Sequence, residues 1–163
     1  MTKYEILKKT ELFVLDMDGT FYLDNDVIDG ALDFLDEVKK AGKRFVFFTN
    51  NSSKSPGTYI DKLAKMGCNI GREQIITSGD VMIQYLKEYY PGKEVYLVGT
   101  PDLEDNFREN GIRLTKEMPD VVVIGFDMTL TYEKLERACT YIRNGAVFLA
   151  THLDINCPTK DGF

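Results

Sequence analysis

Two short clusters carry the residue types that could do chemistry. The first lies in ELFVLDMDGTFY, residues 11–22, where Leu12, Phe13, Val14 and Leu15 run straight into Asp16 and Asp18, followed at once by Gly19 and Thr20. The second is TNNSS, residues 49–53, which ends the apolar run RFVFF. Carboxylates are costly to bury unpaired, so the two acids belong at the carboxyl end of a strand, where the chain leaves its sheet. Side chains two positions apart share one face of a continuing strand, and a bend after Asp16 would still keep them close. Two neighbouring carboxylates repel, and one is pushed towards its neutral form unless a cation intervenes. Mg2+, a hard ion that takes oxygen ligands and keeps several waters, would neutralise the pair. One Asp oxygen could then attack a phosphoryl group. The second acid could protonate the leaving oxygen and later take a proton from water. Gly19 permits a tight turn and lets backbone amides approach a phosphate. Phosphoryl transfer loads charge on the equatorial oxygens, and the Thr49 hydroxyl with the Asn50 and Asn51 amides are donors suited to it.

Each cluster also has a plainer reading. A D-x-D at a strand end is often only a turn or a helix cap, and TNNSS alone reads as loop and capping chemistry. What favours a phosphate site is that each cluster ends a strand of the same expected pair. Residues 12–15 read as a strand buried on both faces. DGALDFLDEVKKAGK carries Ala31, Leu35 and Val38 at helical spacing, with Gly42 as a stop. RFVFFT is a second strand of buried type, and SPGTYIDKLAKMG a helix capped by Ser55 with Pro56 at its first position. Strand, helix, strand, helix makes a right-handed unit with parallel strands, and in such sheets ligands bind beyond the carboxyl ends. The alternation continues: helix in GDVMIQYLKEYYPGK, strand in EVYLVGT, helix in PDLEDNFRENG, strand in DVVVIGFD, helix in YEKLERACTYIRNG and strand in AVFLATH. The expected class is α/β, with a boundary candidate between Ile75 and Gly79.

The chain has 163 residues, 44% hydrophobic and 28% charged, with a formal charge of −6 and no basic run. That argues against nucleic-acid and anionic-membrane partners, which need clustered Lys and Arg; a small anionic substrate stays allowed. Cys68, Cys139 and Cys157 are widely spaced and odd in number, which points to reduced thiols and a cytoplasmic location, not a disulfide framework. No segment approaches the ~20 apolar residues of a membrane span, and the N-terminal residues lack a signal-peptide core. Cys139 reads as a core residue of its helix. His152, without partners in the sequence, reads as structural. DMTLT, residues 127–131, lacks the glycine of the first cluster and reads as a loop leading to a helix capped by Thr131.

LDMDGTFY resembles the D-x-D-G-T/V motif of the haloacid dehalogenase superfamily of phosphatases, and FFTNNSS resembles its second motif. The flanking TSGDVMIQYL, VYLVGT and PDVVVIGFDMTLTYEKLERACTYIRNGAVFLATHLD narrow the likeness to the NagD-like, p-nitrophenyl phosphatase subfamily, along nearly the whole chain. The resemblance implies a Rossmann-like parallel core with an α/β cap inserted after the second motif. Residues 1–78 would be the N-terminal part of the core and 79–163 the incomplete cap. It implies an Mg2+-dependent hydrolase of small phosphorylated metabolites, sugar or short organic phosphates. Asp16 would be nucleophile and metal ligand. Asp18 would be general acid/base, its backbone carbonyl also touching the metal, with Thr49, Asn50 and Asn51 on the phosphate. The family's third-motif Lys and its G-D-x-x-x-x-D are not found after Thr49. Gly79-Asp80 has no second acid at the required spacing, and Lys160 stands too near the end to serve as that Lys. The chain is therefore expected to be the N-terminal part of a phosphatase, hydrolysing slowly or not at all by itself, with an incomplete lid inviting self-association. Two other classes stay open. One is a phosphoryl-accepting receiver-like domain, against which the Thr-Asn-Asn ending counts; the other is a non-catalytic binding fragment.

Overall fold

The structure is a computed structural model and describes residues 2–154. They form two compact units, one of residues 2–49 and 59–76, the other of residues 50–58 and 77–154. Cys157 and Lys160 lie outside the described residues.

The first unit opens with α1 (Lys3–Lys9), which the sequence reading did not foresee. Its start is a capping box, the Thr2 hydroxyl accepting from Glu5 N and the Glu5 carboxylate accepting from Thr2 N. At its other end the Lys43 ammonium donates to the Leu7 and Lys8 carbonyls at 2.9 Å, and to that of Thr10. Strands β1 (Leu12–Leu15) and β4 (Arg44–Thr49) pair in parallel, from Leu12 opposite Arg44 to Leu15 opposite Phe47, and β5 (Ile75–Thr77) completes the order β1-β4-β5. Between them, β2 (Tyr22–Leu23) and β3 (Asp26–Val27) make a small antiparallel hairpin. Helix α2 (Ala31–Lys40) turns its apolar stripe inward at Leu35 and Val38, and α3 (Pro56–Lys65) does so at Tyr59 and Leu63. Their partners are Phe13, Leu15, Phe45 and Phe47 on one face of the sheet.

The other face departs from expectation. Leu12 is 44% exposed, Val14 63% and Phe48 43%, so among the described residues these strands are covered on one face, not on both. Alternation explains which residues are bare: in-register parallel partners share a face, and Leu12, Val14 and Val46 lie opposite the helix-covered set.

In the second unit, β6 (Glu94–Val98), β7 (Arg113–Leu114), β8 (Val121–Ile124) and β9 (Val147–Ala150) form a fully parallel sheet in the order β7-β6-β8-β9. Helices α4 (Ser78–Tyr89) and α5 (Pro101–Glu109) cover one face, where Met82, Ile83, Leu86, Leu103 and Phe107 meet Val95, Leu97, Val121 and Val123. Helix α6 (Tyr132–Arg143) covers the other, with Ala138 against Tyr96, Val98 and Val122. The α/β class is thus met. Cys139 corrects the sequence reading: it is exposed, because Ala138, Tyr141 and Ile142 take the inward stripe and the next position along points away. Thr131 caps α6 as expected, accepting from Lys134 N at 3.2 Å. Asp127 accepts from Thr129 and from the Lys134 ammonium at 2.6 Å, which makes DMTLT a structural loop. His152 accepts from Asp154 N at 3.2 Å and sets its ring edge-on to Phe126.

Leu103 is fully buried in a pit lined by three glycines. A Cβ would come within 2.9 Å of its methyl carbons at Gly79, within 2.9 Å at Gly99 and within 2.6 Å at Gly125.

Candidate active site

The sequence between β1 and β2 folds as a turn wrapped around one carbonyl. The Met17 oxygen accepts from the amides of Thr20, Phe21 and Tyr22 at 3.2, 2.9 and 3.2 Å, and Gly19 N donates to the Tyr22 carbonyl at 2.8 Å. Gly19 supplies the φ of 79° that this turn requires. Three apolar side chains anchor it from below: Met17 and Tyr22 are fully buried, and Phe21 packs on Phe47 with ring centroids 4.9 Å apart. Because the anchors alternate with the acids, Asp16 is left exposed and Asp18 half-buried. The Thr20 hydroxyl donates to Asp16 Oδ2 at 3.1 Å and fixes that carboxylate.

Asp16 is the first residue after β1 and Thr49 the last of β4. Since these strands are parallel neighbours with Leu15 opposite Phe47, the two residues stand at the same carboxyl rim of one sheet. Thr49 is fully buried there. Asp16, Asp18 and Thr49 therefore fall together in the first unit. Asn50 and Asn51 belong to the second. There the Asn50 amide donates to Asp154, its carbonyl accepts from the Ser78 hydroxyl at 2.6 Å, and Asn51 Oδ1 accepts from Ser53 N at 3.0 Å. The rest of the second cluster is bonded in the same way. Ser52 Oγ accepts from Phe126 N at 2.9 Å and pairs with the Thr151 hydroxyl, while the Thr100 hydroxyl donates to the Ser53 carbonyl at 2.7 Å.

The electrostatics draw in residues that the sequence reading missed. Tyr22 has its phenol pKa raised, first by burial, then by the Asp18 charge, with Tyr59 and Asp16 adding to it. The Lys62 ammonium, from α3, sits 3.7 Å from the centroid of the Tyr22 ring. Thr20 was legible as part of the motif; Tyr22 was not, since a tyrosine in an apolar stretch reads as core. Among the described residues no group of three or more His, Cys, Asp or Glu could hold a metal. The oxygen donors of Asp16 and Asp18 would nevertheless suit Mg2+, a hard ion that takes one or two carboxylates and seldom an all-protein cage.

The chain also resembles known proteins along most of its length. Residues 13–113 match the haloacid dehalogenase-like hydrolase family. The acid sugar phosphatase of Staphylococcus aureus is 37% identical over 158 residues, covering 96% of this chain and 61% of that protein. The chain thus spans about three fifths of the length of that curated relative. Among solved structures, a 4-nitrophenylphosphatase from Thermotoga maritima superposes with a TM-score of 0.91 at 47% identity, over 96% of this chain and 60% of that one. A glycerol phosphate phosphatase from Mycobacterium tuberculosis, solved with magnesium, gives a TM-score of 0.87 at 30% identity, over 96% and 48% of the two chains. With the acid turn at the end of β1 and this match along its length, the chain belongs to the haloacid dehalogenase-like hydrolase family.

Proposed function

We propose that the protein of which these residues are part is an Mg2+-dependent phosphatase of small phosphate monoesters. The observation that carries the reading is the pairing at one rim of the sheet: Asp16 and Asp18 on the turn after β1, Thr49 at the end of neighbouring β4. Asp16 is the nucleophile. Its oxygen, oriented by Thr20, attacks phosphorus while the bond to the leaving oxygen breaks, and an aspartyl-phosphate forms. Asp18 gives its proton to that leaving oxygen, then takes one from the water that cleaves the acyl phosphate. Thr49 donates to the phosphoryl oxygens, and Asn50 and Asn51 follow it in the chain as further donors. Asp16 and Asp18 would hold Mg2+, which when bound offsets the negative charge that carboxylates and phosphate bring together. Residues 79–163 act as the cap and 1–78 as part of the core. The names of the relatives, an acid sugar phosphatase and a glycerol phosphate phosphatase, support a sugar or short organic phosphate as substrate.

The test is p-nitrophenyl phosphate turnover with Mg2+, compared between the parent protein and Asp16→Asn. Turnover should fall by roughly four orders of magnitude or more in the variant. A variant that hydrolyses at the parent rate removes the nucleophile and the proposal with it. Stoichiometric labelling by acetyl phosphate without turnover would instead favour a phosphoryl-accepting domain.

A further inference from the structure

The Tyr22 phenol is fully buried, and its oxygen meets no hydrogen-bond partner among the described residues. Its place is over-determined. The backbone is fixed on both sides by the bonds to Met17 and Gly19. The ring is wedged against Phe21 and has the Lys62 ammonium on its face. A phenylalanine would fill the same space and would leave no hydroxyl stranded out of water. A buried hydroxyl without a partner is destabilising, so a tyrosine here calls for an acceptor that the resting geometry does not quite supply. The acceptor we assign to it is Asp18, whose backbone bridges to that of Tyr22 and whose carboxylate has one oxygen, Oδ2, buried as the phenol is. Asp16, Tyr59 and Lys62 are the other ionisable groups around the ring.

We infer that Tyr22 is a positioning residue for Asp18: its O–H donates to the inner carboxylate oxygen and fixes the side chain so that the outer oxygen carries the exchangeable proton. This rests on the reading of Asp18 as general acid/base. Tyr22 touches no substrate. It limits the rotation of a half-buried carboxylate that would otherwise sample several orientations, and proton transfer is sensitive to such placement. The proton itself moves only between Asp18, the leaving oxygen and water; the phenol keeps its own throughout.

The experiment is a thermodynamic cycle of Tyr22→Phe, Asp18→Asn and the double variant in the chain itself, followed by thermal melts and by the proton resonance of the Tyr22 hydroxyl. A protected hydroxyl signal that vanishes in Tyr22→Phe and shifts in Asp18→Asn is expected, with stabilities of the single variants that do not add. Additive stabilities, or a hydroxyl signal indifferent to Asp18→Asn, overturn the inference. In the active protein Tyr22→Phe should lower kcat by about tenfold with KM unchanged, and the double variant should be no slower than Asp18→Asn alone. A parent-like kcat in Tyr22→Phe beside a crippled Asp18→Asn sinks the positioning role and leaves the proposed function standing. Full turnover in Asp18→Asn sinks the general-acid reading, whatever the cycle shows.

Discussion

The two parallel sheets of this chain are built from similar strands and treated differently. In the sheet of the second unit the alternate residues of β8 are consumed on both sides, Val121 and Val123 under α4 and α5, Val122 under α6, and all three are fully buried. In the sheet of the first unit only one side is consumed. Phe45 and Phe47 are buried under α2 and α3, while Val14 and Phe48 face outward among the described residues. Yet LFVL in β1 is as apolar as VVVI in β8. An apolar run therefore records which faces a strand is suited to cover, and the helices present decide which faces are covered.

The largest effect should fall on the doubly covered sheet. Phe107→Ala, at a fully buried ring on the inner face of α5, should cost about 3–5 kcal/mol in urea melts followed by circular dichroism. A cost under about 1 kcal/mol would mean that this layer is looser than its packing implies. The sharper test places one substitution on both sheets. Val122→Thr puts a hydroxyl into a sealed interface and should cost about 1–3 kcal/mol. Val14→Thr, at a site 63% exposed, should change stability by no more than about 0.5 kcal/mol. Equal costs would erase the distinction between the two sheets.

The smallest effect concerns the segment 50–58, which the second unit claims. The Asp102 carboxylate accepts from Ser55 N at 2.8 Å. Burial works to raise its pKa, but hydrogen bonds from Ser55 and Thr58, with Lys54 nearby, outweigh burial and hold it below its usual 3.8. A lowered folded pKa means that the stabilisation is present above the unfolded value and disappears as pH falls through the folded one. Asp102→Asn should leave a flatter stability curve below about pH 4 and a small loss at neutral pH. Identical acid limbs in variant and parent would show that Asp102 is not what ties this segment down.

Much of this was readable in the residues. Period and punctuation gave the long helices and the main strands, since Leu35 and Val38, or Thr131 ahead of Tyr132, are local signals that packing had no reason to override. Asp16, Asp18 and Thr49 were legible because polar groups that end apolar strands have few other uses. The hairpin β2–β3 was missed because each strand is two residues long, too short for a period, and its turn is marked only by Asp24 at a φ of 55°. Helix α1 was missed although Thr2 and Glu5 spell a capping box. The exposure of Cys139 and of Val14 depends on which neighbour lies across the interface, and a single chain read in one dimension carries no such information. Tyr22 is the clearest case: only its burial without a hydrogen bond sets it apart from other core aromatics.

The pit around Leu103 has a consequence of its own. Gly79 lies in the first turn of α4, Gly99 between β6 and α5 and Gly125 just after β8, and at each the same leucine fills the space a Cβ would take. A methyl added at any of the three would force Leu103 to shift, and a shorter side chain at 103 would leave space beside all three. A change at any one of these four positions would therefore be felt at the others, because one leucine side chain answers to all three bare α-carbons.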